Sequence, residues 1–246
     1  MKKYISGLLF LGLLASTTVS AKETYKLLEP HKFYFGGDCL QLNLNEQIKD
    51  IQIKGTKSLA GIRLGYEYLD PWAFYAGIDI ASAISSHSFC VTENKQTIDS
   101  CDRPIGIANL DVRLGYTIGS KRSTYTPFLG TGCYSIGSVT YNRGFHEGWL
   151  YLSSGLRSMF NINHVFSMGV NLKATKAVFG FSQFKNHDLS VTDHRYPWGG
   201  EVGVPFVWSF NPARTWTFQL EPYWGQLNFS RNQQVLGSKF LINAQF

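Results

Sequence analysis

Three groups of residues have types and spacings that could do chemistry. His187-Asp188 and Asp193-His194 share one polar stretch, and Asp99 and Asp102 sit in another. A His–Asp pair can activate a water molecule when both side chains reach it. Neighbours on an extended chain point apart, so these pairs are read as solvated polar residues and no catalytic residue is assigned. In Ser85-Ser86-His87-Ser88-Phe89 hydroxyls flank an imidazole, but no surrounding motif supports a nucleophile. Cys90 and Cys101 bound the segment CVTENKQTIDSC. In an oxidising compartment they are a candidate disulfide, worth about 3 kcal/mol in the chain-entropy picture. Cys39 and Cys133 are left unpaired. No cysteine spacing suits a metal, and neither a metal nor a cofactor is expected.

A larger set of charges is distributed differently. Arg63, Glu67, Asp79, Asp111, Arg113, Arg157, Lys173, Glu201, Glu221 and Lys239 occur singly, each in the middle of an apolar stretch. Five bases against five acids would form a near-neutral set if brought together, as a confined interior requires. What such residues do depends on the elements that carry them.

The chain opens with Lys2 and Lys3, an uncharged apolar run from Tyr4 to Ala15, and Val19-Ser20-Ala21. This is the pattern of a cleaved signal peptide over residues 1–21, leaving one domain over 22–246. Without Lys2 and Lys3 the formal charge falls from +6 to +4, too mild and too scattered for nucleic-acid binding. No later stretch is long and apolar enough for a transmembrane helix.

From about residue 33 the hydrophobic period is two, that of a strand with unlike faces. Ala60, Ile62, Leu64, Tyr66 and Tyr68 oppose Gly61, Arg63, Gly65 and Glu67. Residues 105–118, 201–210 and 215–224 repeat the pattern. The polar faces mix glycine with isolated charges, whereas the apolar faces are continuous and bulky. The simplest fit is apolar residues outward to lipid, with small and charged residues inward to a narrow lumen. Tight breaks at 69–72, 119–123, 161–164 and 211–214 carry turn residues. They alternate with longer polar breaks near 45–57, 87–104, 141–147, 181–197 and 230–235.

The reading is therefore all-β: an antiparallel up-and-down transmembrane barrel of about 10 strands, with 8 as the alternative. Strands are expected near 33–44, 58–68, 72–86, 104–118, 124–140, 148–160, 165–179, 199–210, 215–229 and 235–246. In the first, alternation slips at Gly36-Gly37, where a bulge could reset the register. In the fifth, Phe128, Tyr134 and Ile136 compete with Leu129, Cys133 and Val139, so its faces stay unassigned. Aromatics near strand ends, including Trp72, Trp149, Trp198 and Trp216, are expected to form two interfacial girdles.

Taken together, these features resemble the small bacterial outer-membrane β-barrel proteins, the OmpA-like membrane-barrel group without its peptidoglycan-binding domain. The resemblance implies residence in the outer membrane, contact with its lipids, and delivery by periplasmic chaperones. It also implies that Phe240, Ile242, Ala244 and Phe246 form a signal read by the barrel-assembly machinery. The fold does not fix the role. A non-enzymatic wall, narrow-pore or surface-contact protein is the leading expectation, with external loops free to meet extracellular ligands. The alternatives are an omptin-like or lipid-modifying enzyme at the outer rim, and a soluble exported barrel with reversed faces binding a small apolar ligand.

Overall fold

Residues that alternate between two faces and are separated by turn formers fold into hairpins, and hairpins that curl far enough close on themselves. The computed structural model describes residues 31–48, 51–69, 74–85, 90–93, 96–99, 104–120, 122–138, 145–184, 187–189, 198–211, 214–227 and 233–246. These form ten wall strands and no helix. The strands are β1 (His31–Ile48), β2 (Ile51–Leu69), β3 (Phe74–Ser85), β4 (Ile105–Tyr116, continued by Ile118–Gly119) and β5 (Ser123–Ser138). They continue as β6 (Phe145–Asn161), β7 (Phe166–Phe184), β8 (Trp198–Gly203 and Phe206–Ser209), β9 (Trp216–Leu227) and β10 (Gln233–Gln245). Each is antiparallel to the next, and β10 pairs back onto β1 from Lys32↔Gln245 to Leu44↔Gln233. The result is a closed barrel of ten strands rather than eight.

Closure leaves no wall edge unpaired, which a barrel in lipid requires. Its seam continues past the last strand residue: His31 and Phe246 exchange backbone hydrogen bonds of 3.1 and 3.0 Å. One register row shows how the alternation shapes the outside. Phe218, Ile242, Phe35, Leu64, Ile80, Leu110, Cys133, Leu150 and Phe179 are successive lateral partners, and all are apolar or weakly polar. Most are exposed. Such a surface in water would be an aggregation site; in hydrocarbon it is the solvated state. A soluble barrel needs these faces reversed. Ile80→Arg is accordingly expected to cost about 2–4 kcal/mol in lipid. Urea titration of vesicle-embedded protein would read this as a lowered midpoint.

Several local expectations are corrected. β1 does not slip at Gly36-Gly37: it pairs residue for residue with both neighbours through Gly36↔Arg63 and Gly37↔Phe240. The pattern looked broken because Tyr34, Leu40 and Leu42 are apolar yet lie on the inward parity, with Tyr34 and Leu42 buried. The same reason settles β5. Phe128, Tyr134 and Ile136 are buried inward, while Leu129 and Cys133 face out. Trp149 belongs to no girdle; it is buried in the lumen with its ring stacked on Tyr134 at 5.6 Å between centroids. The break expected at 45–57 is largely strand, since β1 and β2 stay paired to Ile48↔Ile51. Cys90–Glu93 then pairs onto Ile51–Lys54, adding strand beyond the wall at the loop end.

The turn end is tighter. Ser120 and Ser123 exchange backbone hydrogen bonds of 2.7 and 3.2 Å across the first described turn. In the β6–β7 turn, Asn163 Oδ1 accepts from the amides of Val165 and Phe166, both at 2.8 Å, as an Asx turn does. Arg214, in the left-handed region at φ 57°, ties that turn to the β8–β9 turn. Its guanidinium donates to the carbonyls of His164 and Asn163, to Asn161 Oδ1 and to Ser167 Oγ. Aromatic rings gather around this end, among them Phe33 against Tyr66 at 4.6 Å and Phe166 against Trp208 at 5.4 Å. Rings gathered at one end of the wall are what an interfacial girdle is made of. Trp72 lies outside the described residues, as does the segment 1–21 read as a signal peptide.

Candidate functional site in the barrel lumen

The inner face is built by pairing large residues with small ones across strands. One inward row reads Tyr34, Gly65, Asp79, Asp111, Gly132, Tyr151 and Ala177. A Cβ on Gly65 would collide with the hydroxyl end of Tyr34, and one on Gly132 would meet Tyr151. Only glycine lets a tyrosine lie flat across the neighbouring strand.

Three tiers fill the lumen. Near the turns lies a buried layer of small polar residues, including Thr117, Thr126, Ser158, Ser167, Thr217 and Asn243. Here Thr117 and Thr126 share a hydrogen bond of 2.7 Å, and Asn243 donates to Thr217 at 2.9 Å. Toward the loops the filling is apolar and aromatic: Leu42, Leu59, Ile105, Ile107, Ile136, Tyr134, Trp149 and Val235 form one buried cluster. Charges occupy the middle, except Glu147, which is buried in the apolar tier as the lateral partner of Ile136.

All ten charges singled out above lie in this middle tier, and each has an ionic partner across or along the wall. Arg63 reaches Asp38 at 3.0 Å and Asp79 at 3.2 Å. Asp79 also accepts the Tyr34 hydroxyl at 2.5 Å, and Asp38 accepts that of Tyr223 at 2.9 Å. Lys239 bridges Glu201 at 2.8 Å and Glu221 at 2.9 Å. Lys173 binds Asp111 at 2.8 Å. Nearer the turns Glu67 gathers Arg157 in close contact, Lys32 at 3.3 Å and Arg113 at 4.0 Å. Arg113 also lies 3.6 Å from Asp111, so it links the two groups. Tyrosine rings pack under the cations, with Lys173 over Tyr151 and Lys239 over Tyr223.

Two members escape a reading of the sequence. Asp38 stood on the strand whose register looked broken, and Lys32 preceded its expected start. With strand parity corrected, both fall inward by counting in twos from Tyr34. The tyrosine hydroxyls that orient the carboxylates carry no comparable signal in sequence.

The charges are also segregated along the barrel. The part of the tier facing the loops holds Asp38, Asp79, Asp111, Glu201 and Glu221 against Arg63, Lys173 and Lys239. The turn-facing part holds Glu67 against Lys32 and Arg157, with Arg113 between the two. Asp79 and Asp111 are direct lateral partners, an unfavourable like-charge pairing that their separate cations offset.

Above the charges lies a cavity of about 100 Å³. Asp38, Arg63, Lys173 and Glu201 make its floor, and Leu40, Ile107, Tyr134, Leu227 and Val235 are among its walls.

The remaining candidates are placed as follows. Cys39 and Cys133 are free thiols on the outer surface. Cys101, Asp102, Asp193 and His194 lie outside the described residues, as do the side chains of Cys90, Asp99, His187 and Asp188. The Cys90–Cys101 pairing and the rim histidines therefore fall there too. Phe240 and Ile242 are exposed on the outward face of β10 with Phe246 beyond them, and Ala244 shares their parity.

A closed antiparallel barrel with an apolar exterior and a charged, filled interior is the bacterial outer-membrane type of β-barrel. The fold is also that of a solved structure. The outer-membrane protease OmpT of Escherichia coli superposes with a TM-score of 0.59 at 8% identity, covering 89% of this chain and 97% of its own. The translocator domain of the autotransporter NalP from Neisseria meningitidis gives 0.46 at 7% identity, covering 96% and 93%. Neisserial surface protein A gives 0.40 at 6% identity, covering 87% and 97%. No family model and no curated protein sequence matches the chain. At such identities the likeness is one of fold and carries no catalytic residue across.

Proposed function

We propose that this chain is a non-enzymatic outer-membrane barrel with a closed lumen, serving as a structural wall protein whose loops are available for contact at the cell surface. One observation supports this above the others: the interior is filled in tiers, with paired charges in the middle and a buried apolar cluster above them. A solute crossing it would have to part ion pairs held at low dielectric and displace Trp149 and its neighbours. In this reading residues 1–21 direct export and the turns face the periplasm. Phe240, Ile242, Ala244 and Phe246 then present the outward face that chaperones and the assembly machinery grip.

Planar-bilayer recording on refolded protein tests the closed lumen. The wild-type chain is expected to give no stepwise conductance, and Tyr134→Ala combined with Trp149→Ala to raise the leak by thinning the apolar tier. Clear unitary steps from the wild type would overturn the reading in favour of a charged constriction for small solutes.

A further inference from the structure

Glu201 differs from the other lumen charges in one physical respect. Its side chain is 35% exposed, whereas Lys239 and Glu221, its neighbours in the same cluster, are 7% and 4% exposed. The open side of Glu201 faces the cavity described above. The space exists because Glu201 pairs laterally with Gly225, whose inward position carries no side chain. A Cβ at Gly225 would meet nothing closer than 3.4 Å, so the room is real and a larger residue could occupy it. Lys239 on one carboxylate oxygen is the hydrogen-bond donor recorded for Glu201 among the described residues.

Two further observations say what would fit there. The charges that line the floor balance, Asp38 and Glu201 against Arg63 and Lys173, but the tier around them is acidic, with Asp38, Asp79, Asp111, Glu201 and Glu221 against Arg63, Lys173 and Lys239, and acids still outnumber bases if Arg113 is added. Thr175 Oγ1, on the cavity lining, is buried without a hydrogen-bond partner among the described residues. The walls, by contrast, are aliphatic and aromatic, with Leu40, Ile107, Leu227 and Val235. The half-open carboxylate of Glu201 and the unpartnered Thr175 hydroxyl under apolar walls match a donor-bearing cation on a short hydrocarbon body.

We infer that the cavity between the charged and apolar tiers is a binding site for a compact organic cation of the alkylammonium class, its ammonium on Glu201 and its hydrocarbon against Leu40, Ile107, Leu227 and Val235. The inference goes beyond the closed-lumen reading. A barrel can hold such a ligand whether or not it conducts, so the two experiments fail independently.

The test is isothermal titration of the folded chain in micelles with n-butylammonium, empty micelles subtracted, and butan-1-ol as the neutral isostere. Saturable binding at one site per chain is expected for the amine, weakened at least about tenfold in Glu201→Gln. Glu221→Gln perturbs the same lysine but does not line the cavity, and should leave the affinity within about twofold. Gly225→Val should abolish binding by filling the space while the carboxylate stays, which keeps the test decisive if Glu201→Gln refolds poorly. No saturable binding to the wild type would overturn the proposal. So would equal affinity for butan-1-ol, or equal losses in Glu201→Gln and Glu221→Gln.

Discussion

Glu67→Ala is expected to destabilise the folded barrel by about 3–5 kcal/mol, among the largest effects available to one substitution here. The reason is what it leaves behind. Arg157, Lys32 and Arg113 converge on this one carboxylate, and Tyr75 donates to it at 3.2 Å. All three cations have side chains no more than 20% exposed, so water cannot take the place of the lost anion. Uncompensated positive charge in a confined lumen costs far more than the pair contributed. Urea unfolding in lipid vesicles should show a lowered midpoint with little change in slope. The mechanism has its own check: Glu67→Leu combined with Arg157→Met should be less destabilised than Glu67→Leu alone, because one orphaned cation has gone. A wild-type midpoint for Glu67→Ala would mean that solvent reaches this cluster freely.

Deleting residues 241–246 should abolish the folded state altogether. Those residues pair on one side with β1 at Lys32–Gly36 and on the other with β9 at Trp216–Gln219, while Phe246 bonds His31. Their removal exposes two strand edges in a barrel whose exterior is hydrocarbon. Each unsatisfied backbone group there costs several kcal/mol, and a handful exceeds the roughly 5–15 kcal/mol by which a domain is stable. Refolding into detergent, followed by tryptophan emission and protease resistance, should yield no protected species. Phe246→Ser supplies the contrast. It keeps the strand pairing and removes a largely exposed ring that stacks on Phe33 and His31, so it should refold in vitro close to wild type. If Phe246 is also part of an assembly signal, the same variant should accumulate poorly in cell envelopes. Full accumulation would retire that role and leave the closure argument intact.

Both predictions start from features that the sequence states with unequal clarity. The strand period, the apolar outer face and the short turns at 119–123, 161–164 and 211–214 follow from local chemistry. Alternation at Leu59–Tyr68 or Trp216–Trp224 permits one assignment of faces, and turn residues mark where each hairpin reverses. The pattern failed wherever the lumen itself is apolar. Tyr34 and Leu42 on β1, Phe128 and Ile136 on β5, and Trp149 on β6 fill the interior, so hydrophobicity no longer distinguished inside from outside. A local reading uses polarity as its compass, and a plugged barrel removes polarity from part of its interior.

The sequence by itself thus determined the class of fold and the parity on which isolated charges such as Arg63, Glu67 and Lys239 stand. Only the tertiary structure decided which charges meet. Arg157 and Glu67 are 90 residues apart, and Tyr223 and Asp38 are 185 apart. Their contacts depend on barrel closure, strand stagger and the glycines that let tyrosines lie across the wall. None of these is encoded in a window of a few residues. The same holds for the cavity beside Glu201, which exists because Gly225 is its lateral partner on β9. Strand pairing is a long-range choice made by the whole barrel at once. For that reason the sequence could say that a carboxylate points inward, and only the fold could say that it points into open space.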